Sequence, residues 1–552
     1  MPEIRLSFMR RNRWFIWFGG GSLAILAGLA GVAALLLHRA EPYLRARIIA
    51  ELEEHFHARV ELDSFHVSLL HGLWAEGHGL RIWPLAQAGA TPLIQLDEFR
   101  FHTPLHLSPG EPLHISVAEL KGLQIDLPLR SHFMQVGSVG AENPATPKSG
   151  TSVALLNIAV DSLECTGAHL TLETSKPGKL PLEFAIAHLK LTDISKGGAM
   201  GFDAELTNPR PVGIIHSTGS FGPWQVGDPG ESPVQGDYRF DHADLSAFKG
   251  IAGILSSTGH YEGTLRSLQA DGETETPDFR LTHFGNPLPL HTHFHARIDG
   301  TNGDTWLNLV DAILGQSHFT AKGQIVRVRI EPNSTTGSAT GHDIALDINV
   351  GQAHIEDFLR LASHSATPLL TGVVISTAKL HIPPGPLPVQ QRMTLDGSFQ
   401  LDQARFTSPK IQDKVEQLSL RGQGKPQEIK ATDPATVRST MKSDFHIAAA
   451  ILTLPNLVYD VPGATVQVTG TYGLEGGALN FTGTAKTEAT VSAMVGGWKG
   501  LLLKPADRFF KKDGAGVEVP IRIEGTREAP QFTIDFDHMK FTKTTGAGTV
   551  EQ

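Results

Sequence analysis

The sequence contains a single cysteine, Cys165, among 552 residues. An intramolecular disulfide and a zinc site built from several thiolates are therefore excluded, and we expect Cys165 to be a small apolar filler. Basic residues are also outnumbered, since 47 Lys and Arg stand against 57 Asp and Glu for a formal net charge of -10. Nucleic-acid binding relies on basic stripes that neutralise phosphates, and because no such stripe is evident, no nucleic-acid partner is expected.

The motifs of common enzymes are missing as well. The chain has no G-x-S-x-G elbow, no phosphate-binding G-x-x-x-x-G-K-[ST] loop, no H-E-x-x-H and no paired cysteines. We therefore expect no enzymatic activity, no catalytic residues and no cofactor. Two polar groups nevertheless require an interpretation, a histidine triplet and a pair of aspartates.

The histidine triplet is formed by His291, His293 and His295. Alternate spacing places all three imidazoles on one face of a strand, where they could approach a metal ion. Successive imidazoles on one strand lie about 6.6 Å apart, however, so one ion could bind all three only if the strand bent strongly. A solvated polar face without metal is the preferred prediction, with Leu290, Thr292, Phe294 and Ala296 on the opposite, mixed face.

The aspartate pair, Asp299 and Asp304, flanks the sequence GTNG. Paired carboxylates can act as general acid and base in catalysis. Asp and Asn side chains also bond to nearby backbone in tight turns. We favour a hairpin turn at this position.

Residues 14–37 contain no charged side chain. About 20 apolar residues in a helix cover the hydrocarbon core of a membrane, so this segment predicts a transmembrane anchor. A cleaved signal peptide is the alternative, but its apolar core is normally shorter and ends at small residues. Residues 1–13 carry Arg5, Arg10, Arg11 and Arg13, which favours an N-terminus in the cytoplasm.

An amphipathic helix is predicted for residues 41–57. Leu44, Ile48, Leu52 and Phe56 recur every four residues with charged residues between them. The apolar stripe could lie on the membrane surface or cap the first strands of a sheet. We favour the cap, because those strands need an apolar partner.

From about Val60 the apolar period changes to two, which is typical of strands with one apolar face. Gly and Pro are abundant, at 57 and 34 residues, as expected for many turns. Residues 131–152 are rich in Gly, Ser, Pro and Ala and predict a loop. Strand signals recur at both ends of the chain, at Ile94, Leu96, Phe99, Phe101, Ile115, Val117, Leu123, Ile125, Leu127, Val466, Val468, Val517, Val519, Ile521, Ile523, Phe532, Ile534 and Phe536.

One internal repeat is strict in its spacing. The match pairs Leu268, Ala270, Gly272, Pro277, Phe279 and Leu281 with Ile521, Ile523, Gly525, Pro530, Phe532 and Ile534. Each copy predicts a hairpin, with a turn that opens at Gly and closes near Pro. Looser copies follow Gly315 and Gly463. Such repetition indicates an array in which each unit contacts its neighbours.

The chain resembles the AsmA-like family in its combination of an N-terminal membrane helix with residues 47–83, 244–328 and 463–536. The central part reads ADLSAFKGIAGILSSTGHYEGTLRSLQADGETETPDFRL, and the closing part includes VEVPIRIEGTREAPQFTIDF. The shared positions are structural glycines, prolines and strand residues. The resemblance implies a mainly β fold in the periplasm: an elongated, curved, repetitive antiparallel sheet that forms a groove, related to bridge-like lipid transporters. It also implies a role in outer-membrane lipid homeostasis.

The expected function is therefore that of an inner-membrane protein whose periplasmic groove holds or conducts acyl chains, with phospholipid or another acyl lipid as ligand. Outer-membrane or periplasmic proteins are further expected partners. The alternative is a structural or regulatory envelope protein that transports nothing. Candidate groove residues are Phe279, Leu281, Val466, Val468, Ile521, Ile523, Phe532 and Ile534.

The expected organisation adds a helical segment at residues 489–512, whose Trp498, Phe509 and Phe510 are candidates for membrane or partner contact. The remaining predicted regions are an N-terminal β-region at 58–130, a central β-groove at 153–488, a C-terminal hairpin at 513–536 and a polar tail at 537–552.

Overall fold

The computed structural model describes residues between 42 and 534, with gaps of which the largest are 104–112, 128–157, 173–181, 331–338 and 496–516. The predicted anchor at 14–37, the predicted loop at 131–152 and the tail at 537–552 lie outside the described residues, as do Trp498, Phe509 and Phe510. Within the described part of the chain, no helix is both long enough and apolar enough to cross a membrane.

The described chain is mainly β, as predicted. Hydrogen-bonded pairing assigns 25 strands to one sheet. Strands β4 and β5 pair with β6 in parallel, whereas every consecutive pair from β13 to β25 is antiparallel. The first twelve strands are β1 (Ala58–Ser68), β2 (Leu73–Pro84), β3 (Ile94–Thr103), β4 (Leu113–Lys121), β5 (Gln124–Leu127), β6 (Ile158–Leu172), β7 (Leu182–Ile194), β8 (Met200–Pro209), β9 (Val212–Phe221), β10 (Pro233–Asp244), β11 (Ile251–Ala252) and β12 (Ile254–Thr264).

The remaining strands are β13 (Ser267–Leu281), β14 (Leu288–Asp299), β15 (Asp304–Leu314), β16 (Ser317–Ile330), β17 (Ala339–His354), β18 (Leu370–Ile382), β19 (Thr394–Phe406), β20 (Ser439–Ala448), β21 (Ile451–Val461), β22 (Ala464–Gly473), β23 (Ala478–Thr487), β24 (Val517–Thr526) and β25 (Pro530–Ile534). The helices are α1 (Ile355–Leu361), α2 (Val389–Arg392), α3 (Pro409–Gly422) and α4 (Val491–Val495), with 3-10 turns at Pro229–Glu231, Leu245–Ala247 and Pro426–Lys430.

Two compact units divide the chain. Unit 1 comprises Met1–Pro209, Ile214–Tyr238 and Glu262–Leu265. Unit 2 comprises Arg210–Gly213, Arg239–Tyr261 and Arg266–Gln552. Strands β13 to β25 therefore belong entirely to unit 2.

In unit 1 the two faces of the sheet differ in polarity. Leu80 of β2 pairs with Leu62 of β1 and with Leu96 of β3, so apolar side chains meet on one face. On the other face, Arg100 lies 3.5 Å from Glu76 and 3.8 Å from Glu119. Strands with one apolar and one charged face explain the period of two in the sequence.

The described residues of segment 42–53 are helical, and their apolar side chains pack on unit 1. Ile48 and Ile49 contact the buried cluster around Leu62, while Ile49 and Leu52 contact the cluster around Val60. Arg45 Nε donates a hydrogen bond to the Leu62 carbonyl oxygen at 3.0 Å. These contacts are those of a helix that caps the first strands, which is the interpretation favoured above.

Cys165 lies in β6 of unit 1 and is fully buried, with 0% of its surface exposed. It is a free thiol, and burial raises its pKa above the ordinary value. The thiol therefore stays protonated near neutral pH, and the prediction of a small apolar filler is confirmed.

Consecutive strands of unit 2 pair from β13 to β25, and their ends form two rims. The upper rim is defined as the edge that contains the connections 355–369 and 407–438. The lower rim is the opposite edge, which contains the connections 300–303 and 527–529. Helices α1 and α3 both lie in upper-rim connections. Each strand thus contributes one end to each rim.

The strict repeat is only half correct as a hairpin prediction. Its second copy is a hairpin, since β24 pairs with β25, and Gly525, which has a φ of +98°, pairs with Pro530 next to the connection. Its first copy is one continuous strand, β13, where Gly272 pairs with Phe294 instead of opening a turn. Pro277 sits at the register shift between Thr276 and Phe279, because a bulge tolerates a residue without an N–H.

The looser copies do mark turns. Gly315 has a φ of +62° in the turn before β16, and Gly463 has a φ of +87° in the turn before β22. Both positions require the left-handed backbone region that glycine adopts without steric cost. The recurrence of this glycine pattern in the sequence therefore indicates a recurring turn in the structure.

Candidate functional site

One face of the unit 2 sheet is apolar in strand after strand. The cross-strand register aligns one row of side chains from β13 to β20 and a second row from β19 to β24. Because side chains alternate between the two faces, all members of a row point to the same side. The first row is Gly272, Phe294, Val310, Ala321, Ile348, Ala378, Gly397 and Phe445, and the second is Leu401, Met441, Tyr459, Val466, Ala485 and Val519.

The middle of this apolar face is only partly buried. Leu454, Val468 and Phe481 form a buried cluster there. Around it lie apolar side chains that keep part of their surface accessible: Phe399, Phe445, Leu452, Leu457, Val466, Tyr472, Leu479, Ile521 and Ile523. A sheet face closed by a second layer of structure would bury such residues, so this face remains accessible in the described structure.

Glycines on this face indicate that the sheet curls toward it. A Cβ at Gly397 would lie 2.7 Å from Phe445 Cζ, and a Cβ at Gly470 would lie 2.6 Å from Phe481 Cδ1. A Cβ at Gly483 would overlap the carbonyl oxygen of Gln467 in the adjacent strand. Neighbouring backbones approach on this side, as they do where a sheet bends.

Replacing Gly483 with alanine should therefore destabilise unit 2 by about 1–3 kcal/mol, because the added methyl meets backbone that must shift. Gly476 offers a matched control, since a Cβ there has no atom within 4 Å. Urea titration followed by circular dichroism measures both variants. Equal midpoints for Gly483→Ala and Gly476→Ala would contradict the close approach.

Helices α1 and α3 cover the apolar face at the upper rim. The Phe358 ring of α1 lies 6.1 Å from the Phe319 ring of β16, and Val415 of α3 belongs to a buried cluster with Val374 and Leu401. The buried Asp357 anchors α1, since its carboxylate accepts hydrogen bonds from Ser317 Oγ at 2.7 Å and Gln316 N at 3.0 Å. The upper end of the face is therefore closed by packed helices.

Tyr459 places a phenol hydroxyl within the apolar face. Its hydroxyl donates to Ser439 Oγ at 3.1 Å. Burial raises the pKa of the phenol, and the hydrogen bond to Ser439 only partly opposes this. The phenol is neutral at physiological pH, so no charge interrupts the face at this point.

Between β16 and β20, the opposite face of unit 2 carries a row of charged side chains. Lys322, Asp347, Lys379, Asp396 and His446 are direct cross-strand neighbours on five successive strands, β16 to β20. His446 Nδ1 lies 2.5 Å from Asp396 Oδ1. Side chains of opposite charge face each other on neighbouring strands, which favours this cross-strand register, and their charges keep this face solvated.

A depression of about 710 Å³ lies on this charged face. Its lining includes Thr320, Asn349, Thr377, Ser398 and Asp444, which form the next cross-strand row. Short polar side chains between longer charged ones account for the hollow. Charged and polar side chains therefore line most of the hollow, together with Leu309.

The histidine triplet lies on the charged face of β14. His291 Nδ1 is 2.6 Å from Glu275 Oε1, and His295 Nδ1 contacts the Asp271 carboxylate. The His293 and His295 rings are 4.9 Å apart. The predicted polar face is thus present, with carboxylates of β13 as partners.

The Asp299 and Asp304 pair forms the predicted turn. The Asp299 carboxylate accepts hydrogen bonds from Thr301 N at 2.9 Å and Asn302 Nδ2 at 2.7 Å, and Asn302 Oδ1 accepts from Asp304 N at 2.8 Å. The Asp299 carboxylate and Asn302 Oδ1 therefore stabilise the turn through hydrogen bonds. The structural interpretation of the pair is confirmed.

Half of the candidate groove residues come together. Val466, Val468, Ile521 and Ile523 share one cluster on the apolar face. Phe279 and Leu281 lie apart from it, at the upper-rim end of β13. Phe532 and Ile534 pair with Ile523 and Ile521 in the backbone register of β25.

Comparison with known proteins adds no relative. No family model, curated protein or solved structure matches the chain.

Helices α1 and α3, which cover the upper end of the apolar face, were not predicted from the sequence. For α3 a signal was present, since Ser408 and Pro409 provide a helix start before Ile411, Val415 and Leu418 at helical spacing. For α1 the apolar run is short and follows a strand without a break. Its position depends on the contact of Asp357 with Ser317, which are far apart in sequence.

Proposed function

We propose that the protein shields lipid acyl chains along the apolar face of unit 2. The observation that carries this proposal is the cross-strand register, which aligns apolar and small side chains from β13 to β24 on one partly accessible face. An isolated apolar side chain on a surface is ordinary, whereas a continuous partly accessible apolar face points to a ligand or partner.

The energetic case rests on the cost of exposing hydrocarbon to water. Each methylene costs about 0.8 kcal/mol, so a sixteen-carbon chain in water costs roughly 13 kcal/mol. A curled sheet that covers such a chain removes most of this cost, while the charged outer face keeps the protein solvated. Holding or moving a lipid in this way requires no covalent step.

The cellular setting is proposed from the sequence. Residues 14–37 would anchor the chain in a bacterial inner membrane with the N-terminus in the cytoplasm and the sheet in the periplasm. The resemblance to the AsmA-like family supports a role in outer-membrane lipid homeostasis. We propose phospholipid as the main ligand on these grounds.

Native mass spectrometry of the full chain in detergent tests the proposal. We expect phospholipid adducts on the protein after it has been supplied with phospholipid vesicles. Well-folded protein that carries no acyl lipid under these conditions would exclude lipid shielding, and a structural or regulatory envelope protein would then be the better description.

A further inference from the structure

Three connections of unit 2 meet at a polar contact that we call the clasp, formed by Asn286, Ser363, Ser365 and Arg527. Asn286 Nδ2 lies within hydrogen-bonding distance of three carbonyl oxygens, those of Arg360 at 3.1 Å, Ser363 at 2.5 Å and Ser365 at 3.1 Å. Arg527 Nη1 donates to Ser363 Oγ at 2.7 Å. The clasp therefore joins the β13–β14 turn, the end of α1 and the β24–β25 turn.

The contact between Arg527 and Ser363 joins opposite rims. Ser363 follows α1 in an upper-rim connection, whereas Arg527 follows β24 at the lower rim. In a flat sheet, β18 and β24 would lie six strand spacings apart and the rims a strand length apart, so the two strand ends would be roughly 40 Å from each other. Helix α1 has 7 residues and spans only about 10 Å.

The sheet must consequently roll for the clasp to form. A sheet that closes on itself has tilted strands and a staggered register. Because of this stagger, the lower-rim end of a later strand can meet the upper-rim end of an earlier strand. The roll is toward the apolar face, because α1 lies on that face through Phe358 and Phe319. The clasp thus holds the sheet around the apolar face.

We infer that the clasp is a gate, which admits an acyl chain to the apolar face when it opens. This inference rests on the proposed function and adds a step at which access of lipid to the apolar face is controlled. A few hydrogen bonds between connecting segments are far weaker than the ladder bonds of the strands, so the clasp opens while the strands remain paired. Opening separates β24 and β25 from α1 and widens access to the apolar face, whose side chains are only partly accessible while the clasp is formed.

Reversible locking of the clasp tests the gate. Ser363→Cys and Arg527→Cys are combined in the full chain and bridged by a short bifunctional methanethiosulfonate reagent, which dithiothreitol removes. The natural Cys165 is buried, and each single cysteine variant treated in the same way is a control for modification alone. The probe is palmitate with a photoactivatable diazirine, and the readout is the rate at which it labels the protein.

The gate predicts that bridging slows labelling by at least about tenfold and that dithiothreitol restores the rate, whereas Arg527→Ala raises the rate by about tenfold because one charged hydrogen bond is lost. Equal rates for bridged and reduced protein would overturn the gate and leave the proposed function intact. Absence of labelling in bridged, reduced and wild-type protein alike would overturn the proposed function, and the gate with it.

Discussion

Replacing Ile521 with glutamate should lower the amount of phospholipid bound per chain by more than about tenfold. Ile521 lies on β24 next to the buried cluster of Leu454, Val468 and Phe481 and is itself only partly buried. A carboxylate at this position keeps about three methylenes of an acyl chain from contact, which costs about 2 kcal/mol. Native mass spectrometry after incubation with phospholipid vesicles measures the loss.

Arg522→Glu is the matched control for this change. Arg522 is the next residue on β24, points to the charged face and has 53% of its side chain exposed. It receives the same carboxylate in the same strand, but on the face that is proposed to remain in solvent. Similar losses in both variants would show that charge on the strand, rather than charge on the apolar face, reduces binding.

Replacing Leu401 with alanine should lower the free energy of unfolding by about 2–5 kcal/mol. Leu401 is 1% exposed and packs in the cluster with Val374 and Val415 below the upper-rim helices. The truncation leaves a cavity that packed strands and helices fill only in part. A shift of the urea midpoint, followed by circular dichroism, reports the loss.

Ile375→Ala provides the comparison from the opposite face. Ile375 pairs with Gln400, beside Leu401 in β19, and is 40% exposed. Truncating an exposed side chain away from the core changes stability by about 0.5 kcal/mol or less. A larger loss for Ile375→Ala than for Leu401→Ala would mean that the buried side of the sheet has been assigned to the wrong face.

The strands were predictable because their pattern is local. The alternation at Val517, Val519, Ile521 and Ile523 needs only the pleat of a strand to be interpreted, and β24 follows it. The extended Ser267–Leu281 strand was not predictable in the same way. Gly272 followed by Pro277 has the composition of a turn, yet the neighbouring strand β14 holds both in one ladder with a bulge.

The site depends on contacts that one-dimensional patterns do not contain. Val466 and Ile523 could be proposed as apolar-face residues from alternation alone, but their meeting in one cluster follows from the register of β22, β23 and β24. The clasp depends on three connections far apart in sequence, and Asn286 and Ser363 have no local signal that distinguishes them from other loop residues.

The sequence also does not show toward which of its two faces the sheet curls. Small residues at Gly397, Gly470 and Gly483 are compatible with either sign of curvature until the neighbouring strands are placed. The strand register determines which backbone atoms approach them. The alternation of apolar and polar residues in the sequence identifies an apolar face. Only the cross-strand register shows that the sheet bends around that face.

Site-specific photocrosslinking tests most directly whether acyl chains lie on the apolar face. A photoreactive phenylalanine analogue replaces Phe399 on that face in one variant and Ser398 on the charged face in another, and both full-length proteins are irradiated in their native membranes. We expect phospholipid adducts at position 399 and none at position 398. Adducts at 398 alone, or at neither position in folded protein, would contradict lipid shielding on the apolar face.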